Sequence, residues 1–282
     1  MSEKKAKFLL AAVILARSTS FVLSKIGLDS LEVFNLLGIR FLIAFAIMYL
    51  CFRSRLHNSQ KSNIISGVII GTAYFIVMGL EVFSLKTCES STTAFLEHTA
   101  IVMVPLFEAV INKRLPLLKN IISMVLAITG VALMTLTGSA LSLTLGESLA
   151  FAAAITYTAV IIITDRLTKG ADALVIGIVQ LGTMGALATV CSLLFEAPVL
   201  PQTMELWLAI LYLACVCSCF GFTLQAVAQK YTTAETASLY CAIGPLGAGF
   251  FGWFFLGETL SAYALFGAAL ILGSILIAQK KF

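Results

Sequence analysis

The chain has 282 residues, of which 60% are hydrophobic and only 11% charged. A soluble globular chain carries about 25% charged residues to cover its surface, so a mean hydropathy of +1.03 excludes a soluble protein and identifies an integral membrane protein. The net charge of +4 comes without a basic block of the size that grips nucleic acid, and nucleic acid is not an expected partner. Seven cysteines, nearly all inside apolar runs, argue against a disulfide framework.

A helix needs roughly 20 apolar residues to cross a bilayer. Hydropathy and turn signals predict ten such segments, approximately 8–27, 34–52, 63–84, 91–111, 119–136, 146–164, 173–194, 206–228, 235–256 and 262–278. The runs are long and continuously apolar, which favours helices over the alternating strands of a barrel. The first run follows Lys4, Lys5 and Lys7 as a signal peptide would, but it lacks a small-x-small cleavage site and reads as a retained span. The expected fold is therefore an all-α integral membrane protein.

Charge fixes the expected orientation. With the N-terminus in the cytoplasm, fourteen of the 18 Lys and Arg fall inside, Lys86 alone falls outside, and Arg17, Lys25 and Arg40 lie within spans. That asymmetry predicts a multi-pass protein of the cytoplasmic membrane with both termini inside.

The chain also resembles itself. The stretch from Lys86 through Ala94 to Glu97 and His98 is matched by that from Lys230 through Ala237 to Tyr240 and Cys241, and each leads into a proline-bearing span (Pro105, Pro245). Each then passes through a polar link into a Gly-rich closing span. The repeat is five helices, an odd number, so the halves 1–137 and 138–282 are expected to have inverted topology, the arrangement that suits alternating access in a secondary transporter.

Several motifs are familiar. Ala237-Ser-Leu-Tyr-Cys-Ala-Ile-Gly-Pro245, Trp253-Phe-Phe-Leu-Gly-Glu258-Thr-Leu and Gly267-Ala-Ala-Leu-Ile-Leu-Gly273 resemble the closing stretch of an EamA repeat of the drug/metabolite transporter superfamily. Ser20-Phe-Val-Leu-Ser-Lys25, Arg40 and Val104-Pro105-Leu-Phe give the first half a similar look. The resemblance implies ten helices, a cavity between two halves, and movement of small metabolites, often outward. The chain departs from the pattern at Arg17-Ser18, where Trp-Gly is common, at Asn112-Lys113-Arg114, where Gly-Glu is common, and at Glu97-His98.

An ionisable side chain at mid-bilayer costs about 2.5–3.5 kcal/mol on insertion scales and persists when paired or facing a cavity. Arg17, Lys25, Arg40, Glu81, Glu97 and Glu108 are such residues, all in the first half. One reading puts Glu97 and His98 at a substrate or proton site, with Arg17 or Arg40 as counter-charge for a carboxylate. The other makes these charges static ion pairs that hold helices in register. Repeat-equivalent positions pair Glu81 with Gln225, Arg40 with Gln180, and Glu97-His98 with Tyr240-Cys241, so a charged wall would face a neutral one. Tyr74 and Tyr157 could add to that lining.

The expected substrate site is thus Arg17, Arg40, Tyr74, Glu81, Glu97, His98, Tyr157, Gln180, Gln225 and Tyr240, with Glu97 and His98 as proton-coupling candidates. Span nine, with Gly244, Gly247, Gly249 and Gly252 beside Pro245, reads either as a hinge or as tight packing. Cys215, Cys217 and Cys219 lack metal-ligand spacing, so no metal is expected. No cofactor is expected either, and with no GxxxxGK[ST] motif ATP does not drive the protein directly. The expected function is a secondary transporter exporting a small organic metabolite, an amino acid or related compound, with protons as the candidate coupling ion. An intramembrane enzyme built on Glu97, His98 and Glu108 is the alternative, which an inverted repeat disfavours.

Overall fold

The computed structural model describes residues 1, 3–113, 115, 117–134, 136–137, 140–141, 144–232, 237, 240 and 243–279. Arg114 and Cys241, named above, lie outside the described residues, as do Lys280 and Lys281, two of the fourteen inside charges, and most of the 233–242 part of the internal resemblance. In chain order the helices are α1 (Glu3–Gly27), α2 (Val33–His57), α3 (Lys61–Leu85), α4 (Ser90–Glu97), α5 (Ala100–Ile111), α6 (Leu118–Met134), α7 (Leu145–Thr168), α8 (Ala173–Phe195) and α9 (Met204–Tyr212). A π-helical segment (Leu213–Thr223) then runs into α10 (Leu224–Gln229), followed by α11 (Ile243–Leu256) and α12 (Ala262–Gln279). A two-residue antiparallel ladder, Leu136–Thr137 with Ala140–Leu141, is the one piece of strand among the described residues.

Seven runs are long and apolar enough to cross a membrane, counting α4 with α5 as one and α9 through α10 as another; three shorter apolar helices accompany them. Large apolar side chains such as Leu50, Val110, Leu193, Phe195, Phe254 and Phe266 are exposed, an exterior that suits lipid and not water. The inside is the polar part: Ser18, Ser20, Arg40, Glu81, Glu97, His98 and Gln225 are all buried. This is a multi-pass membrane protein.

Two expected continuous spans are interrupted. Helix α4 stops at Glu97, His98 and Thr99 form a turn, and α5 resumes at Ala100. The span expected at 206–228 keeps its length but carries the π-helical segment in its middle, where the wider turn realigns the side chains beyond it. Short side chains allow close helix contact elsewhere. A Cβ on Gly130 of α6 would stand 2.7 Å from the Gly267 carbonyl oxygen of α12, and one on Gly71 of α3 would stand 2.8 Å from the Gln180 carbonyl oxygen of α8.

Helices α2 and α8 pack along their lengths and are tied at both ends. The free N–H groups of Phe34 and Asn35, in the first turn of α2, donate to the carboxylate of Glu196 just past α8, each at 2.8 Å. At the other end Arg55, in the last turn of α2, donates to both oxygens of Asp172, the residue that caps α8, at 2.8 and 3.2 Å. A carboxylate meets unpaired helix N–H groups at each end, as the helix dipole favours.

Candidate functional site

The break between α4 and α5 sets the site. A cavity of about 20 Å³ opens beside it, lined by Ile14, Arg17, Ser18, Ser20, Phe21, Glu81, Glu97, His98, Tyr157 and Gly244, space for about one water molecule. Ending the helix at Glu97 brings the side chains of Glu97 and His98 to the same cavity from α4 and the turn that follows it. The His98 Nδ1 lies 2.7 Å from the Ala94 carbonyl oxygen. A carbonyl only accepts, so Nδ1 carries the proton and Nε2 is the open lone pair. That Nε2 presses on Gly244 of α11, where a Cβ would stand 2.2 Å away; the glycine is what lets α11 pass the ring.

The two acids come together at the cavity, which Glu81 of α3 and Glu97 of α4 both line. One oxygen of each, Oε1 of Glu81 and Oε2 of Glu97, is buried with no hydrogen-bond partner among the described residues.

The guanidinium groups take neutral partners. Arg17 Nη1 donates to Gln225 Oε1 in a short hydrogen bond, and the Arg17 guanidinium lies 4.1 Å from the Phe222 ring centroid and 5.9 Å from that of Tyr74. Gly221 makes room for its stem, since a Cβ there would stand 2.7 Å from Arg17 Cγ. Gln225 Nε2 continues the network to the Tyr157 hydroxyl at 3.4 Å. Arg40 is fully buried one layer back, with Nε donating to Ser218 Oγ at 2.8 Å and Nη1 to Ser20 Oγ at 3.0 Å, while Nη2 has no partner among the described residues. Among the described residues neither arginine makes a direct ion pair with a carboxylate; both take neutral hydrogen-bond partners.

Of the residues picked out by sequence, Arg17, Glu81, Glu97, His98 and Tyr157 therefore share one cavity. Tyr74 and Gln225 stand directly against Arg17, and Arg40 reaches the cavity wall through Ser20. Gln180 is turned elsewhere, its Nε2 donating to the Phe222 carbonyl at 3.2 Å. Tyr240 packs with Leu9, Leu10, Ala228 and Ala237 in a separate cluster. The cysteines of the π-helical segment serve packing: Cys217 Sγ donates to the Ala16 carbonyl at 3.4 Å and Cys219 Sγ to the Ala44 carbonyl at 3.3 Å.

A second polar assembly closes one end of the bundle. The carboxylate of Glu258, in the link between α11 and α12, accepts from the Ser90 N–H at 2.7 Å, the Ser90 hydroxyl at 2.9 Å, the Ser91 N–H at 3.0 Å and the Ser91 hydroxyl at 2.8 Å. Lys25 of α1 adds an ion pair at 3.2 Å and also donates to the Cys88 carbonyl at 2.8 Å. Burial alone would push the Glu258 carboxyl up, but the Ser90 and Ser91 donors and the Lys25 ammonium outweigh it and hold it below the ordinary glutamate range. Neighbouring Glu89 goes the other way, raised by burial and by the charge of Glu258. Sequence reasoning registers Glu258 only as part of a motif and Lys25 only as a charge within a span. The available signal is Ser90-Ser91 at a helix start, which exposes N–H groups that attract a carboxylate.

Comparison with known proteins agrees with this architecture. A relative from Archaeoglobus fulgidus named "Uncharacterized transporter" is 27% identical over 278 residues, covering 98% of this chain and 96% of its own. A second protein of the same name and organism is 22% identical over 288 residues, with 98% of each chain covered. A solved chain described as "Crystal structure of protein" shares the fold with a TM-score of 0.73 at 17% identity, covering 98% of this chain and 97% of that one. The model of the EamA-like transporter family matches twice, at residues 4–136 and 144–279. With nearly its whole length matched, the chain belongs to the EamA-like transporter family.

Proposed function

We propose that the protein is a secondary transporter that carries a small organic metabolite across the cytoplasmic membrane by alternating access. The observation that carries this reading is the cavity at the α4–α5 break. Arg17, Glu81, Glu97 and His98 line one buried space, with Arg40 behind it on Ser20. Such charges are costly inside a bilayer unless paired or facing a cavity, and a cavity that gathers them suits a polar passenger. Arg17, Glu81, Glu97, His98 and Tyr157 would contact the cargo; Tyr74, Gln225 and Arg40 would position them, and Gln180 and Tyr240 lie outside this group. The Glu81–Glu97 pair is the better candidate for proton coupling, with His98 Nε2 as an acceptor beside it.

The reading includes ten spans in two inverted five-helix repeats, 1–137 and 138–282, with both ends in the cytoplasm. Three features support it. The family model matches once in each half. The helices expected to be equivalent, α2 with α8 and α6 with α12, pack against each other. Equivalent links carry a left-handed residue, Lys113 (φ 50°) just past α5 and Gly257 (φ 65°) just past α11. On this topology the Glu258 assembly faces outward, and export is the expected direction. Purified protein in liposomes should show saturable uptake with counterflow of labelled metabolite; a flux that neither saturates nor counterflows would indicate a channel, and product formation in detergent would revive the enzyme reading.

A further inference from the structure

The seam between α2 and α8 opens into a groove of about 530 Å³ at the end where α2 finishes. Phe45, Tyr49, Arg53 and His57 of α2, at four-residue spacing along one face, form one wall, and Gly182 and Thr183 of α8 stand in the other. Phe45 seats against Gly182, where a Cβ would stand 2.9 Å from its ring, and its ring lies 5.8 Å from that of Tyr49. The helix bends at Phe52 (φ −126°, ψ 20°), yet Arg53 and His57 beyond the bend line the same groove as Phe45 and Tyr49 before it. Phe45 is the middle residue of α2 and His57 the last. Between them the helix rises about 18 Å at 1.5 Å per residue, and one leaflet of hydrocarbon is about 15 Å deep. The groove thus runs from the middle of the bilayer to its surface. Tyr49 and Ile64, both in its lining, are exposed, so it is open on the lipid side.

Charge sets this groove apart. Arg53 is exposed and belongs to no ion pair among the described residues, and no acid lines the groove. Arg55, in the same turn, is already taken by Asp172. At the other end of the seam a smaller groove, about 230 Å³, lies between Gly38 of α2 and Thr189 of α8, and no charged residue lines it. On the repeat equivalence of Arg40 with Gln180, Arg53 corresponds to Leu193, which lines that second groove. The basic mouth is therefore not a by-product of how the two helices pack. A ligand that matches the first groove has an apolar tail one leaflet long and an anionic head. We propose that it holds one anionic phospholipid of the bilayer, with an acyl chain along Phe45 and Tyr49, the phosphate on Arg53, and His57 as a second donor. A planar guanidinium receives phosphate through two parallel N–H bonds, and basic recesses between membrane helices hold anionic headgroups in this way. A free phosphate would leave the apolar length uncovered. The lipid bridges α2 and α8 and strengthens their seam. This inference needs only the bilayer setting and is independent of the transport reading.

The test uses the full chain in an uncharged maltoside detergent. Phosphatidylglycerol and phosphatidylcholine with identical acyl chains are the lipid probes, and glycerol 3-phosphate is the head without a tail. Native mass spectrometry counts the lipid retained, and the melting temperature reads its effect. The parent should retain one phosphatidylglycerol in preference to phosphatidylcholine by about tenfold, as a charge-assisted bond allows, and of the three probes phosphatidylglycerol should raise the melting temperature most. Arg53→Gln should remove most of that preference and Arg53→Lys should keep part of it. Arg55→Gln, which takes the same charge from the same turn, should keep it whole. Because Arg53 is exposed, Arg53→Gln should melt as the parent does in lipid-free detergent; the choice between the two lipids is read on the parent and stands whatever a variant's stability. Equal retention of phosphatidylcholine overturns the inference. So does an equal loss in Arg53→Gln and Arg55→Gln, which would mean a diffuse surface charge. A full shift from glycerol 3-phosphate alone would make this a site for a free anion, and a dimer mass without lipid would make it an interface between copies; either result overturns the inference as well.

Discussion

The carboxylate of Glu258 meets Ser90 twice, at its backbone N–H (2.7 Å) and at its hydroxyl (2.9 Å), so that one acidic side chain from the last link of the chain stands on the first residue of α4. A helix N-terminus offers unpaired N–H groups and a positive dipole end. Glu258→Gln keeps the shape and removes the charge, and the loss of charge-assisted bonds should cost about 2 kcal/mol. Cys88, buried beside this contact, is a natural reporter. In a chain with its other cysteines replaced, an impermeant maleimide should label Cys88 several-fold faster in the Glu258→Gln variant.

The same contact has a defined pH response. Glu258 is held below its ordinary range, so the stability it contributes is fully present above the unfolded value of about 4.3 and is lost as pH falls through the lowered folded value. Cys88 labelling, divided at each pH by that of a fully exposed cysteine to remove the pH dependence of the thiolate itself, should stay flat from pH 7 to about 5 and rise in stronger acid. The Glu258→Gln variant should show no such rise.

The two ties between α2 and α8 should differ in worth. Arg55 is exposed and Asp172 half-buried, and pairs open to solvent contribute about 0–1 kcal/mol; Arg55→Gln should lower the melting temperature slightly, less so in high salt. Glu196 holds two helix N–H groups that Ala cannot replace, so Glu196→Ala should cost about 1–2 kcal/mol. If Arg55→Gln proves the more damaging, this account of the ties is wrong.

The α6–α12 seam has no spare room. A Cβ at Gly130 would sit 2.7 Å from both the Gly267 carbonyl oxygen and Ile271 Cγ1, so Gly130→Val should cost about 1–3 kcal/mol by overpacking, read as a lower melting temperature in detergent. Gly130→Ala should fall between that variant and the parent.

At position 113 the opposite sign is expected. Lys113 adopts φ 50°, a left-handed conformation that costs an L-residue roughly 1–2 kcal/mol. Lys113→Gly relieves it and should raise the melting temperature, whereas Gly257→Ala, at φ 65°, should lower it.

How much of this is legible in the sequence depends on the range of the interaction. The long apolar runs place α1, α2, α3, α7 and α8 to within a few residues, because burial in lipid is written into each residue separately. Arg17, Glu81, Glu97 and His98 stand out for the same reason: a polar group inside an apolar run needs an explanation. Their partners do not stand out. Arg17 meets Gln225 across 208 positions and Lys25 meets Glu258 across 233, and no local pattern couples such residues. The turn at His98 and Thr99 carries neither Gly nor Pro, and the π-helical segment shows the same apolar composition as an α-helix; both arise from packing.

The paired ends of α2 and α8 have a mechanical meaning. Along this seam Thr189 seats against Gly38, Phe45 against Gly182 and Leu42 against Gly185, so the faces interlock, and a tie at each end adds to that register. With Glu196 fastened to the start of α2 and Arg55 to the start of α8, neither helix advances along the other without breaking a bond at each end. The two helices are held in register from both ends, firmly where Glu196 takes two N–H groups and weakly where Arg55 meets Asp172.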